Sequence, residues 1–198
     1  MSSDPFLRPA EAHDAPEIAP LILMAGGGVY EFLLGGLVPG AETVDMLVPG
    51  IAGRSGSFSH RQMVVAESAG RVIGVAHAHP THWMRDADRS FIPADRIAHL
   101  AAFDSTQDWD SYFLSALAIA PDLRRQGLAR HLLARVYDRA RDGGYDRVTL
   151  HVWADNAAAR ALYAAEGFTE AAAAAIPWHP RLPHRGGSLL LRRPVPAA

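Results

Sequence analysis

Cysteine is absent from this sequence, and so is lysine: all 19 of the basic residues are arginine. The first absence removes disulfides, thiolate zinc sites, iron–sulfur clusters and cysteine nucleophiles. The second removes the Walker phosphate loop and the pyridoxal Schiff base, both of which need a lysine amine. An excess of one charge is also lacking. The formal net charge is −2, and the only basic run that stands out is the short "LRRPV" near the end, so the footprint of a nucleic-acid binder is missing. No apolar stretch approaches the ~20 residues of a membrane span. The opening "MSSDPFLRPAEAHDAPEIAP" is acidic and proline-broken, without the basic start and apolar core of a signal peptide. The expectation is a cytoplasmic protein with a small-molecule or protein partner and neither nucleic acid nor membrane.

What is present is an apolar fraction of 49% in 198 residues, enough for a sizeable core in one domain, 1–198. No repeat or linker divides it. "FLRPA" reads as a short strand, "DAPEIAPLILMAGG" as a helix from Asp14 to glycines, and "VYEFLLGGLVPGAETVDMLVPGIAG" as short helices punctuated by Gly and Pro. "RQMVVAES" and "RVIGVAHA" flank a tight "AG" as a hairpin. Residues 80–110 lose periodicity apart from one short helix, "PADRIAHLAAF", and read as a flap insertion. "SYFLSALAIA" is an unbroken apolar run suited to a central strand. A helix follows from Gln126 to about Arg141, with Ala129, Leu132, Leu133, Val136 and Ala140 on one face. "DRVTLHVWA" alternates as a strand, and "DNAAARALYAAEGF" is a short helix capped by Asp155 or Asn156 and ended by Gly167. Strands in "FTEAAAAAI" and "GSLLLRRPV" close a mixed α/β order.

The stretch "SALAIAPDLRRQGLARHLLARV" raises one question: why does Gly127 stand at a helix start? Helix N-termini present unpaired N–H groups and partial positive charge, and a turn without bulky side chains lets a phosphate approach them. Gly127 and Ala129 keep that approach clear, and Arg124, Arg125 and Arg130 add charge. A plain strand–helix junction is the alternative.

Two motifs in sequence order weigh against that alternative. Arg124, Gly127 and Ala129 fit Arg/Gln-x-x-Gly-x-Gly/Ala. Asn156, Ala159, Leu162, Tyr163, Gly167 and Phe168 fit Asn-x-x-Ala-x-x-Leu-Tyr-x-x-x-Gly-Phe. With both, the chain resembles the GNAT superfamily of acetyl-CoA-dependent N-acyltransferases.

The resemblance implies an α/β fold with a mostly antiparallel, twisted sheet splayed between strands 4 and 5 and flanked by helices. It implies that the pantetheine arm bonds to the backbone of Leu117, Ala118 and Ile119. It further implies that the pyrophosphate sits on the amides of Arg125, Gln126, Gly127, Leu128, Ala129 and Arg130, beside Arg124, and that Asn156 contacts the arm. Acetyl passes directly from thioester to amine, with Tyr163 as the usual acid for the departing sulfur. Tyr163 lies off the stripe of Ala158, Ala161, Leu162 and Ala165, so core packing is not its evident role; packing on the cofactor is the other reading.

Many relatives carry a basic glutamate on the strand before the phosphate turn, where Phe113, Ser115 and Leu117 stand here. His151 is the candidate base. It holds the strand position at which the ribosomal-protein N-terminal acetyltransferases have a glutamate, and an ordinary imidazole pKa near ~6.5 suits the task. A half-exposed strand histidine is the alternative. Tyr30 and Glu31 fall where relatives build part of the acceptor pocket. Trp83 and the acids Asp104, Asp108 and Asp110 of the flap either face the acceptor or form a solvated loop face.

"HAHPTH" (His77, His79, His82) offers metal-ligating side chains without a fourth ligand, so no metal is assigned and a strand end feeding the flap is preferred. "GGG" at 26–28 follows a helix and reads as its end. The expected function is acetyl transfer from acetyl-CoA to a primary amine of a small molecule or a protein N-terminus. The alternatives are a cofactor-binding regulatory module without turnover and, on the histidines alone, a metallohydrolase. A homodimer is the assembly considered.

Overall fold

The computed structural model describes residues 5–196; the outermost residues of the expected 1–198 domain, and the first residues of the acidic N-terminus, lie outside them. Seven strands form one sheet in the order β1-β2-β3-β4-β5-β7-β6. They are β1 (Phe6–Pro9), β2 (Met63–Ser68), β3 (Arg71–Pro80), β4 (Tyr112–Ile119), β5 (Arg147–Trp153), β6 (Thr169–Ala174) and β7 (Ser188–Pro194). Every neighbouring pair is antiparallel except β4–β5, which is parallel. The helices are α1 (Ala15–Gly26), α2 (Val29–Leu34), α3 (Thr43–Ala52), α4 (Ala94–His99), α5 (Ala101–Thr106), α6 (Leu128–Asp142) and α7 (Ala157–Ala165).

Strand alternation sorts the core into two layers. Val64 and Ala66 of β2 join Leu132, Leu133, Val136 and Ala140 of α6 on one face. Met63 and Val65 join Ile18 and Ile22 of α1 and Leu47 and Ile51 of α3 on the other. Strand β3, covered on both faces, is buried from Val72 to His79, as its apolar content requires. Helix α6 starts at Leu128 with Gly127 as N-cap, two residues later than the expected Gln126, and its buried face also takes in Leu128 and Tyr137 while Ala129 is half-buried.

The central strand carries a break that alternation cannot reveal. Ala78 pairs with Leu114 and His77 with Ala116, leaving Ser115 as an extra residue in β4. Such a bulge bends its strand and reverses side-chain parity beyond it. Accordingly Tyr112 and Leu114 belong to the α6 layer while Ala116 and Ala118 belong to the α1 layer. Pairing of β4 with β5 is confined to Tyr112–Val148 and Phe113–Thr149; just past it, at the bulge, the two strands part.

The flap departs from its expected single helix. A 3-10 turn at Thr81–Met84 precedes α4 and α5, which are separated at Leu100. Leu100 turns into a small apolar cluster with Phe32, Trp153 and Leu182, and that packing outweighs continuation of one helix.

The histidines of "HAHPTH" separate. His77 and His79 are buried and His82 is exposed. His77 Nε2 donates to Ser57 O at 2.7 Å and His79 Nδ1 to Pro80 O at 3.0 Å. Among the described residues no group of three His, Asp or Glu side chains is placed to hold a metal ion. Burial, with a smaller effect of His79 nearby, pushes the His77 pKa down to about 3, and burial lowers that of His79. Both imidazoles therefore fold neutral, whereas the unfolded chain protonates below ~6.5. Stability is complete above that pH and declines as pH falls toward the folded values, by roughly 1.4 kcal/mol per pH unit per neutral imidazole. Urea denaturation at pH 6.5 and 5.0, above the titration of ordinary carboxylates, should show this loss, and His77→Gln should reduce it while the other lowered imidazoles keep a part; equal stability at the two pH values would refute the account.

Candidate active site

Where β4 and β5 diverge, a cavity of about 640 Å³ opens. It is lined by Leu117, Ala118 and Ile119 of β4, by Arg124, Arg125, Gly127, Leu128, Ala129 and Arg130 of the following turn and helix, and by His151, Asn156, Tyr163 and Tyr30. Among the described residues the backbone edge of β4 that faces β5 has no strand partner beyond Phe113, so its polar groups, apart from Ile119 O, which accepts from Arg124, are available to a ligand. Gln126 and Glu31 are not among the residues lining the cavity.

The turn before α6 is shaped for an anion. Arg125 and Gly127 both adopt left-handed backbone, with φ of 65° and 81°; for an arginine this is a strained conformation. A Cβ added at Gly127 would meet nothing within 4 Å, so among the described residues the space beside it is open. Arg124 reaches across the opening, its Nε donating to Ile119 O and a terminal nitrogen to Met24 Sδ, at 3.2 and 3.1 Å. Arg130 is paired to Glu166 at 2.8 Å. Asn156 caps α7, its side-chain oxygen accepting from Ala159 N–H at 3.1 Å.

Tyr163 corrects the sequence-based reading. It is the buried residue of α7, packed on Phe168 with ring centroids 5.5 Å apart, whereas Ala158, Ala161 and Ala165 are exposed and Leu162 half-buried. Alanines carry too little apolar area to define a helix face, so their spacing misplaced the stripe. Burial, with Tyr137 contributing, holds the Tyr163 hydroxyl well above the usual phenol range; it is a protonated donor at every working pH.

His151 stands between Phe103 and Phe113, ring centroids 4.8 and 6.2 Å away. Its Nδ1 lies 3.2 Å from Ser188 Oγ, and that hydroxyl donates its proton to Val152 O at 3.1 Å. The proton of the neutral ring therefore sits on Nδ1, and Nε2 keeps its lone pair, buried and without a partner. Burial lowers the His151 pKa to about 4, against a smaller opposing effect of Asp104. The side chain is neutral at pH 7, though a weaker base than a solvated imidazole.

Tyr30 reaches β4: its hydroxyl is hydrogen-bonded to the Ser115 side chain at the bulge, and burial pushes its pKa up to about 12. Of the flap acids, Asp104 lines the cavity, held by Arg89 at 2.7 and 3.2 Å. Asp108 instead pairs with Arg147, both contacts being 2.7 Å, and Asp110 and Trp83 point to solvent. Phe103, Gln107, Trp153 and Ser188 also line the cavity and escaped the sequence reading. The turn at Gly26–Gly28 ends α1 as expected, with Gly27 left-handed; a Cβ on Gly28 would come 2.3 Å from Arg181 O, so only glycine lets the loop before β7 lie against it.

The sequence pattern of the Acetyltransferase (GNAT) family matches residues 51–168, which include the bulged strand, the glycine turn and α7. The chain belongs to this family. A [ribosomal protein bS18]-alanine N-acetyltransferase of Escherichia coli K12 is 45% identical over 73 residues, 36% of this chain and 49% of that protein. The match thus spans about half the length of the curated relative. Among solved structures, an acetyltransferase superposes with TM-score 0.72 at 21% identity, covering 96% of this chain and all of the other. An N-acetyltransferase from Staphylococcus aureus Mu50 gives 0.70 at 17%, covering 95% of this chain. At such identities these two show the GNAT fold alone: a mixed sheet, mostly antiparallel, with one parallel pair at the cleft and flanking helices.

Proposed function

We propose that the protein transfers the acetyl group of acetyl-CoA directly to a primary amine. The observation that carries this reading is the parting of β4 from β5 directly beside an open glycine turn at a helix N-terminus. Acetyl-CoA, when bound, supplies an acyl group activated as a thioester. The amides of Arg125 to Arg130 would hold its diphosphate, and the free edge at Leu117, Ala118 and Ile119 would orient its arm and polarise the acyl carbonyl. Asn156 would steady the arm. His151 Nε2 would take the proton of the amine, and Tyr163 would give one to the sulfur. A single transferase domain with a flap over 80–110, a cytoplasmic location and a homodimer belong to the same reading.

Titration calorimetry with acetyl-CoA, followed by thiol release in the presence of amines, tests it. Saturable binding and amine-dependent release are expected. Under the role given to His151, the acid limb of kcat/KM falls near pH 4, well below ~6.5, and His151→Ala lowers turnover and removes that limb. An unaltered profile in the variant would place the base elsewhere. The low basicity of His151 and the lack of a carboxylate at Phe113, Ser115 and Leu117 favour a second reading, a regulatory module that binds acetyl-CoA. Saturable binding without release under any amine would support the module.

A further inference from the structure

The transferase reading leaves the acceptor open, but the cavity beyond the glycine turn has a distinct chemistry. Tyr30, Met84, Phe103, Phe113 and Trp153 give it apolar and largely aromatic walls. Two buried polar atoms without a partner lie on residues that line it: Gln107 Oε1 and His151 Nε2. Both are acceptors, the first as an amide oxygen, the second because Nδ1 holds the ring proton against Ser188. A buried acceptor left unmatched is unfavourable until a donor arrives. The Asp104 carboxylate, already held by Arg89, adds a further acceptor. The arginines that line the cavity, Arg124, Arg125 and Arg130, all belong to the phosphate turn. Among the residues lining the cavity an anionic group beside the reacting amine would therefore find no cationic partner outside that turn, and two unmatched acceptors beside it.

Beside this region, behind the wall formed by Phe103 and Trp153, three segments are tied together. Phe32 of α2 lies between His99 of the flap and His179 of the loop before β7, at centroid distances of 4.9 and 4.7 Å. Arg96 and Arg181, from the same two segments, both donate to Gly35 O, at 3.0 and 2.9 Å. His99 Nε2 donates to Pro177 O at 3.0 Å. An extended polypeptide needs an open trough, and here three segments join over a shared apolar cluster that closes the Phe103–Trp153 side of the cavity.

Resting on the transferase reading, we propose that the acceptor is a small primary amine with a compact apolar body and no carboxylate, its amino group received by Gln107 Oε1 and His151 Nε2 beneath the flap. The amine donates to both acceptors. On attack its nitrogen bonds to the acyl carbon as the carbon–sulfur bond breaks, and the proton it loses goes to His151 Nε2.

The test compares 2-phenylethylamine with L-phenylalanine, which differs by one carboxylate, and with an alanine-started hexapeptide. Each is assayed by thiol release beside calorimetric titration of acetyl-CoA. The expected kcat/KM for 2-phenylethylamine exceeds both others at least about 30-fold. Gln107→Leu raises its KM about tenfold without changing acetyl-CoA affinity, and Gln107→Glu, which keeps an acceptor, restores it. Equal use of phenylalanine, or preference for the peptide, overturns the proposal and leaves the transferase reading standing. Saturable acetyl-CoA binding without transfer to 2-phenylethylamine also overturns it. Failure of acetyl-CoA to bind rejects the transferase reading itself, and the proposal with it.

Discussion

Replacing Gly127 by glutamate is expected to weaken acetyl-CoA binding at least about a hundredfold, equivalent to ~2.7 kcal/mol, with Gly127→Ala as its reference. Both variants force an L-residue into the left-handed backbone at φ 81°, a cost of about 1 kcal/mol that falls on stability alike. In both the Cβ points into open space. What differs is a carboxylate placed over a helix N-terminus, where it would meet the amides and arginines that the diphosphate needs and repel the diphosphate. Calorimetry on the two variants, with melting temperatures alongside, separates strain from blockade. Affinities within about threefold of each other, ~0.65 kcal/mol, would mean that this turn does not receive the diphosphate.

Tyr163→Phe is expected to lower kcat at least about tenfold while acetyl-CoA affinity stays the same, as loss of one general acid implies. The aromatic ring, packed against Phe168 in the α6 layer, is kept, so the fold tolerates the change. Only the hydroxyl disappears, and burial keeps that hydroxyl protonated far into the alkaline range. Turnover of the wild type should accordingly show no fall between pH 8 and about 9.5 caused by this group. Steady-state rates with saturating acetyl-CoA measure the effect; unchanged kcat in Tyr163→Phe would reduce the residue to packing.

Much of this was legible before any coordinates. The hairpin around Ala69–Gly70, the strands flanking the glycine turn and the cap of α7 follow from local chemistry, because turn glycines, cap side chains and apolar periodicity act over a few residues. The open left-handed turn at Gly127 was legible because a glycine where a helix begins is costly unless its backbone freedom or the space it leaves is used. Three features were not. An apolar run such as "YFLSALAI" reads the same with or without a bulge, so the unpaired Ser115 and the parity reversal it causes were hidden. The alanines of α7 left its buried face undefined, and Tyr163 was turned outward by a spacing argument that had nothing to grip. Gln107, Trp153 and Ser188 come to the cavity from the flap, the end of β5 and the start of β7, a convergence made by sheet order rather than by sequence neighbourhood. The acidic trio of the flap likewise splits by tertiary pairing, Asp104 inward and Asp108 to Arg147.

The bulge in β4 also sets what kind of genetic change can remove the cleft. Over Gly74–Pro80 and Tyr112–Ile119, seven residues of one strand run beside eight of the next. The bend at which β4 leaves β5 thus coincides with a mismatch of count against β3, independent of which side chain occupies the surplus position. Point substitutions can alter what the cleft binds and how fast it reacts, yet they leave the count as it is. A one-codon deletion in β4, or a one-codon insertion in β3, would bring those two strands into step and remove the bend beside which β4 parts from β5. Variation in this protein is therefore free to explore acceptors residue by residue while the bend beside the gap is held by the relative length of two strands.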